Sequence, residues 1–180
     1  SGKTLLNHLE TVQLANQDSN QGARLPVQWV IRPQSDEYHD FRGFAGRVAS
    51  GTFNVGDEVI AYPSGMTSKI TGIHTGNGPV EEAITALSYA ITLADEIDIS
   101  RGDIIVKPND IPTVGKKLNA NIVWMDEAAM VPGKPYDVKF ASTASAGTFS
   151  KIHHLVDVNT LEQSQADKVK LNEIGLVELS

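Results

Sequence analysis

The first residues that could do chemistry are at the start of the chain. Ser1–Thr4 reads Ser-Gly-Lys-Thr ahead of an apolar helix, like the tail of a phosphate-binding loop whose backbone N–H groups and Lys hold a nucleotide phosphate. The full motif needs a glycine five positions before Gly2, no strand precedes the stretch, and no metal- or guanine-binding motif follows it. We therefore interpret it as a helix start capped by Ser1 or Thr4.

Two further groups could bind metal. Asp36–Asp40 contains oxygen ligands and His39, but consecutive residues without a glycine cannot all turn toward one ion. A solvated loop is therefore favoured over an autonomous metal enzyme. His153 and His154 are neighbours in a predicted strand, where side chains alternate, so we expect one packed and one exposed side chain and no shared zinc.

Other catalytic chemistry lacks its residues. The chain has no Cys, which excludes a disulfide, a thiolate zinc site and a cysteine nucleophile. Ser, His and Asp are present, but no Gly-x-Ser-x-Gly elbow positions a serine nucleophile. We therefore predict no catalytic, cofactor-binding or metal-binding residue.

Composition excludes further classes. The 180 residues include 15 basic and 22 acidic side chains, a formal charge of −7, which disfavours binding to nucleic acid because that binding depends on neutralising phosphates. No apolar run approaches the roughly 20 residues of a membrane span, and no secretory leader is visible. We expect a cytoplasmic globular protein with neither a nucleic-acid nor a membrane partner.

The pattern of apolar residues predicts one short helix followed by strands. Leu5, Leu6, Leu9 and Val12 form the stripe of an amphipathic helix, and the polar stretch 16–24 is typical of a linker. Short runs separated by Gly, Pro and Asn then predict an all-β barrel or sandwich. The predicted strands cover 25–31, 44–49, 58–62, 68–74, 86–93, 103–106, 117–125, 136–141, 147–158 and 174–179.

Two prolines divide the predicted strands into two domains. Pro108 and Pro112 interrupt the ladder because neither has a backbone N–H donor. Only about four strands follow, fewer than a barrel needs, and 161–171 is a polar excursion that could include a helical turn. The predicted fold is all-β: two consecutive barrel domains, the second apparently truncated, preceded by one short helix.

Two segments differ from plain structural sequence. Phe41–Arg47 places two Arg and two Phe beside glycines, an arrangement suited to a close-packed strand or a contact surface. Asp95–Asp103 carries four acidic residues against one Arg, with Ile97 and Ile99 on one side if the segment is extended. Both fit equally well as a barrel rim with solvated charges or as an interface.

These segments carry a resemblance. Arg42–Gly51, the Val-Gly-Asp of 55–57 and the Arg-Gly-Asp of 101–103 resemble the second, β-barrel domain of GTPases related to elongation factor Tu. Within that superfamily, 40–46 and 95–103 resemble the large, GTPase subunits of sulfate adenylyltransferases. Matches at 123–127, 132–136, 157–162 and 171–175 extend the resemblance over nearly the whole chain.

The resemblance implies a division of the chain. Residues 1–23 would be the last helix of a GTPase domain and a linker, 24–109 a second-domain barrel and 110–180 part of a third-domain barrel. GTP and Mg²⁺ are implied for the GTPase domain, with none bound by these barrels. The family pattern normally has a glycine where this chain has Ala86, and 36–39 is insertion-like.

The resemblance also implies an activity and partners for the parent protein. The family couples GTP hydrolysis to formation of adenosine 5′-phosphosulfate from ATP and sulfate, and the small subunit transfers the adenylyl group. The barrels alone are expected to be inactive and to contact the GTPase domain of the same chain and the small catalytic subunit. The candidate contact residues are Phe41, Arg42, Phe44, Arg47, Asp95, Glu96, Asp98, Arg101 and Asp103.

One alternative function has the same predicted fold but a different partner. A translation-factor relative would use such barrels to bind the acceptor end of tRNA. The acidic Asp95–Asp103 segment disfavours this reading, because phosphate contacts need clustered Lys or Arg.

Overall fold

A computed structural model describes residues 2–12, 21–33, 41–109 and 111–180. The predicted Asp36–Asp40 loop, Ser1 and most of the linker lie outside these residues. The chain divides into two compact units, Ser1–Pro112 and Thr113–Ser180. The described residues form many strands and one short helix, which confirms the all-β prediction.

The helix α1 is Leu5–Thr11. Thr4 caps it: its side-chain oxygen accepts a hydrogen bond from the Asn7 amide at 3.3 Å, as the sequence predicts. The apolar stripe Leu5, Leu6, Leu9 and Val12 is exposed, and α1 has no buried residue. No helix in the described part of the chain is long and apolar enough to cross a membrane.

The described residues of the first unit form ten strands. They are β1 (Arg24–Pro26), β2 (Trp29–Ile31), β3 (Gly43–Arg47), β4 (Thr52–Asn54), β5 (Glu58–Tyr62), β6 (Met66–Thr75), β7 (Gly78–Val80), β8 (Glu82–Ile84), β9 (Ser88–Leu93) and β10 (Ile104–Val106). Glycines with positive φ stand between several of these strands: Gly51, Gly56 and Gly65 have φ of 64°, 91° and 74°.

The main sheet of this unit has the order β1-β10-β5-β6-β9-β3-β2. Its two ends belong to one extended segment, 24–31, whose first half pairs with β10 and whose second half pairs with β3. At the crossover the Val27 amide donates to Asp103 O and the Gln28 amide donates to Ala45 O, both at 2.8 Å. The sheet therefore closes on itself as a barrel.

Side chains from alternate strand positions fill the barrel. Phe44, Ile73, Ile91 and Ile105 are among its fully buried members. Two short strands that the sequence analysis missed, β4 and β8, pair with each other and add Phe53 to this core.

The second unit is built on five strands. They are β11 (Leu118–Val123), β12 (Pro135–Phe140), β13 (Thr143–Val156), β14 (Gln163–Ser164) and β15 (Ile174–Leu179). The sheet order is β11-β15-β13-β12, with β14 paired to β13. Phe149, Ile152 and Val177 belong to its core, and Met130 and Val169 join it through an isolated antiparallel bridge.

Two expectations for this unit are wrong. The excursion 161–171 contains β14 and turns, with Leu161 at φ 60°, and no helical turn. His153 and His154 do not divide into one packed and one exposed side chain, because both are half-buried. A register shift between Ile152 and His154 interrupts the strict alternation of β13, and His153 Nε2 lies 3.1 Å from Asn119 Oδ1.

Ala86 occupies a backbone conformation that favours glycine. Its φ is 71°, and hydrogen bonds from the Ala86 amide to Val48 O and from Arg47 Nε to Ala86 O hold it there. Because this region costs a residue with a Cβ about 1 to 2 kcal/mol, we expect Ala86→Gly to raise the free energy of unfolding by roughly 0.5 to 1 kcal/mol after the entropy of glycine is subtracted. Urea unfolding measures the change.

The matched control for this substitution is Ala90→Gly in the middle of β9. Ala90 has no positive φ, so glycine there gains nothing and is expected to destabilise the strand. Equal destabilisation by both variants would contradict the strain at Ala86.

Asp57 connects the turn before β5 to the end of β10. Its Oδ2 accepts hydrogen bonds from Lys107 Nζ and from the Asn54 amide, both at 2.7 Å. Burial raises the pKa of Asp57, but the hydrogen bonds from Lys107 and Asn54 outweigh it and keep the pKa below its ordinary value. The ionised carboxylate is therefore the form that stabilises the fold.

Asp57→Asn is expected to lower the free energy of unfolding by about 1 to 2 kcal/mol at neutral pH. Because the folded pKa of Asp57 is depressed, this contribution is complete above the unfolded pKa and disappears as the pH falls through the folded pKa. Urea unfolding between pH 7 and pH 3 tests it, with exposed Glu58→Gln as the charge-matched control. A difference between wild type and Asp57→Asn that does not shrink on acidification would contradict this assignment.

Candidate functional site

One end of the first barrel gathers most of the predicted contact residues. β3 and β9 are antiparallel, with Gly43 opposite Thr92, so the chain entering β3 and the chain leaving β9 meet there. A pocket of about 350 Å³ opens between them, which we call the Arg42 pocket. Its lining residues are Phe41, Arg42, Phe44, Thr71, Thr92, Leu93, Ala94, Asp95 and Glu96.

Arg42 is the central charged group of this pocket. Its guanidinium carbon lies 5.3 Å from the centre of the Phe44 ring, a cation–π contact. Nη2 lies 3.7 Å from Asp98 Oδ1, close enough for attraction but too far for a hydrogen bond. Nε and Nη2 are both buried and donate to no acceptor in the described part of the chain.

Unpaired buried donors are costly. Leaving such a group without an acceptor costs about 1 to 3 kcal/mol, and more where the group is charged. Only 22% of the Arg42 side chain is exposed, whereas 87% of the Asp98 side chain is exposed. The guanidinium therefore lies at the pocket with two buried N–H groups that have no acceptor among the described residues.

The acidic segment is anchored at its first residue. Asp95 Oδ2 accepts a hydrogen bond from Ser68 Oγ at 2.8 Å, and the Asp95 amide donates to Ser68 Oγ at 3.1 Å. Ile97 and Ile99 both pack on the barrel core, as the pattern predicts for an extended segment. Glu96 and Asp98 are consequently exposed at the rim.

Three predicted contact residues lie apart from the Arg42 pocket. Arg47 is at the opposite end of β3, about 13 Å along the strand, where its Nε donates to Ala86 O at 3.0 Å. Asp103 Oδ2 accepts from the Ser100 amide at 2.8 Å and stabilises a turn, and Arg101 is exposed on that turn.

Phe44 requires a correction. The sequence analysis treats it as a surface anchor, but its ring is 1% exposed and belongs to the barrel core. Because side chains alternate along β3, Phe44 points inward and forms the support beneath Arg42.

The sequence analysis missed the hydroxyl groups of the pocket. Thr71 Oγ1 donates to Thr92 Oγ1 at 3.0 Å, and Thr92 Oγ1 donates to Gly72 O at 3.3 Å. A register shift between Ile70 and Gly72 puts Thr71 in this position. The available signal was Gly72 itself, because a glycine within a strand often marks a bulge.

A second aromatic group completes one wall of the pocket. The Phe41 ring meets the His74 ring edge to face at 5.7 Å between centres. A Cβ at Gly43 would lie 2.9 Å from the Phe41 ring, so the missing side chain makes room for it.

The second unit has a smaller pocket of about 200 Å³. Apolar side chains of Leu118, Val138, Phe140 and Leu179 contribute to its lining. Nearby, hydrogen bonds from Ser150 and Lys117 lower the pKa of Glu178 below its ordinary value. No cluster of three potential metal ligands occurs among the residues that the structure describes.

The fold is that of the β domains of translation-factor-like proteins. Residues 117–180 match the family described as GTP-eEF1A C-terminal domain-like. A crystal structure of sup35 complexed with GDP is similar over all of this chain and 44% of its own, with a TM-score of 0.76 and 14% identity. Bacterial selenocysteine-specific elongation factor EF-Sec is similar over 96% of this chain and 25% of its own, with a TM-score of 0.63 and 22% identity.

Several curated proteins are more similar to this chain in sequence than these structures are. Over 179 residues, 99% of the chain, it is 46% identical to sulfate adenylyltransferase subunit 1 of Teredinibacter turnerae and 45% identical to that of Aeromonas hydrophila. It is also 42% identical over 180 residues to the bifunctional enzyme CysN/CysC of Mycobacterium tuberculosis, of which it covers 29%. The chain is therefore similar to sulfate adenylyltransferase subunit 1 over nearly its whole length, and it spans 37% of the length of the first two relatives.

Proposed function

We propose that this chain is a non-catalytic part of the GTP-dependent large subunit of a cytoplasmic sulfate adenylyltransferase. In the whole protein, GTP hydrolysis would be coupled to formation of adenosine 5′-phosphosulfate from ATP and sulfate. The observation that carries the proposal is 46% identity over 99% of the chain to a protein named as subunit 1 of that enzyme. GTP and Mg²⁺ would be bound by a GTPase domain of the same protein.

The proposed role of the first unit is to dock a protein partner, the small catalytic subunit. The supporting feature is the Arg42 pocket, which holds a partly buried guanidinium with unpaired donors beside two aromatic rings. Arg and aromatic side chains in desolvated pockets are typical anchors of protein interfaces. The GTPase domain of the same protein is the second proposed partner of these barrels.

The translation-factor reading receives less support. Sup35 and EF-Sec share the fold at 14% and 22% identity, which speaks to fold alone. At the pocket, the rim carries Asp95, Glu96 and Asp98, which would repel the phosphates of tRNA.

Calorimetry tests the proposed absence of nucleotide chemistry in this chain. We expect no heat of GTP binding and no synthesis of adenosine 5′-phosphosulfate from ATP and sulfate. The physical reason is that Gly2, Lys3 and Thr4 are exposed ahead of a seven-residue helix, and a Cβ on Gly2 would meet no atom within 4 Å, so the described residues do not enclose a phosphate there. A full-length large subunit is the positive control, and micromolar GTP binding by this chain would contradict the proposal.

Co-purification tests the proposed docking. The tagged chain is expected to retain the small subunit, and addition of free full-length large subunit is expected to compete for it. Failure to retain a folded small subunit would contradict the docking role.

A further inference from the structure

We infer that the Arg42 pocket receives a basic segment of its protein partner. One backbone carbonyl oxygen of that segment accepts from the Arg42 guanidinium, and a Lys or Arg side chain of the same segment lies at the acidic rim. The inference rests on the proposed docking function of the first unit and adds the chemistry of the docked segment.

Among the residues described, the Arg42 guanidinium lacks acceptors for two of its nitrogen atoms. Arg42 Nε and Nη2 are buried without an acceptor in the described residues, although Asp98 Oδ1 is only 3.7 Å from Nη2. Once the Arg42 side chain turns outward, a ligand oxygen at about 2.9 Å makes the hydrogen bond that Asp98 does not make. A carbonyl oxygen and a carboxylate oxygen both meet this geometric requirement.

The charge of the pocket favours a carbonyl oxygen over a carboxylate oxygen as the acceptor. Asp95, Glu96 and Asp98 contribute −3 and Arg42 contributes +1, so the pocket and its rim carry −2. An anion entering this field is repelled by the acids at close range, whereas a neutral carbonyl is not. A cation beside the carbonyl is attracted.

Two acidic side chains at the rim are able to turn toward a cation. Asp98 is 87% exposed and forms no hydrogen bond with Arg42, so its carboxylate moves at little cost. Glu96 is exposed, whereas Asp95 is fixed by Ser68. The pocket therefore has one rigid acid and two adaptable ones around the Arg42 guanidinium.

Size and walls suit an extended chain. The volume of about 350 Å³ is at the small end of ligand pockets, enough for one or two residues of a peptide. The half-buried Phe41 ring gives an apolar wall, and the Thr71 and Thr92 hydroxyls add polar groups for a peptide backbone.

Nuclear magnetic resonance on the ¹⁵N-labelled chain tests the inference through the Nε–Hε signal of Arg42. The probes are the peptide acetyl-Gly-Arg-Gly-Lys-Gly-amide, the peptide acetyl-Gly-Glu-Gly-Asp-Gly-amide and inorganic phosphate. We expect saturable shifts of the Arg42 side-chain signal and of the Asp95, Glu96 and Asp98 amides with the basic peptide, and much smaller shifts with the other two.

Substitutions at the rim and at the far end of β3 test where the basic peptide binds. Glu96→Gln and Asp98→Asn change exposed side chains and are expected to weaken the basic peptide about two- to fivefold each, whereas Arg47→Ala at the other end of β3 leaves its affinity unchanged. A stronger response to phosphate or to the acidic peptide, or no response to the basic peptide, would overturn the inference. Retention of the small subunit in the co-purification experiment is independent of these peptides, so the docking function can stand if the basic-segment inference fails.

Discussion

Gly46→Ala is expected to lower the free energy of unfolding of the first unit by about 3 kcal/mol, at the upper end of the cost of overpacking a core. A Cβ on Gly46 would overlap Pro26 O and lie 3.2 Å from Leu25 Cδ1. The nearer contact is with backbone at the place where 24–31 crosses from β10 to β3. Relief would require the barrel closure itself to move.

Hydrogen exchange of the β3 and β9 amides measures this effect in the first unit alone. Gly76→Ala is the matched control, because a Cβ there meets no atom within 4 Å and the residue has no positive φ. We expect Gly76→Ala to stay within about 0.5 kcal/mol of wild type, as for ordinary surface substitutions. If Gly46→Ala behaved like Gly76→Ala, the description of the barrel crossover would be wrong.

Arg42→Ala is expected to weaken binding of the small subunit by a factor of about 30, the effect of losing a 2 kcal/mol interface anchor. Arg42→Lys is expected to lose most of the same affinity, because an ammonium cannot present the two donors Nε and Nη2 in a planar fork. Isothermal titration of the small subunit with each variant measures the change.

Arg47→Ala is the control for this experiment, because Arg47 lies at the other end of the same strand and bonds to Ala86 O. Arg101→Ala, on the turn before β10, is also expected to have little effect, because Arg101 does not line the pocket. Thermal unfolding of Arg42→Ala checks that loss of the contact with Phe44 leaves the barrel folded. Unchanged affinity of a folded Arg42→Ala protein would remove the pocket from the interface.

The sequence predicts the longer strands well because their alternation is strong. β5, for example, was expected at 58–62 and lies there. Strands of three residues such as β4 and β8 show too little alternation to be recognised, although Phe53 in the middle of β4 is fully buried. Their pairing depends on contacts distant in the chain, which periodicity does not contain.

The candidate site was predictable only in part. The Phe41–Arg47 segment drew attention through its residue types, but only the register of β3 separates Arg42 at the pocket from Arg47 at the far end. Strand alternation could have placed Phe44 inside. The bulge that brings Thr71 to Thr92 and the hydrogen bond from Ser68 to Asp95 are tertiary features without a local pattern.

Ala86 stands where the family pattern normally has a glycine, and the resemblance thereby points to a special backbone conformation. A glycine is expected there from the family pattern, and the structure places Ala86 at a positive φ of 71°. The physical reason for the family's glycine is thus visible in a chain that lacks it.

The most direct test of the account is hydrogen exchange of this chain, alone and mixed with the small catalytic subunit. If the Arg42 pocket docks that partner, exchange slows in 41–46 and 92–98, while β7 and the turn at 76–78 are unaffected. A complex that forms without protection of 41–46 and 92–98, or the absence of any complex, would contradict the account.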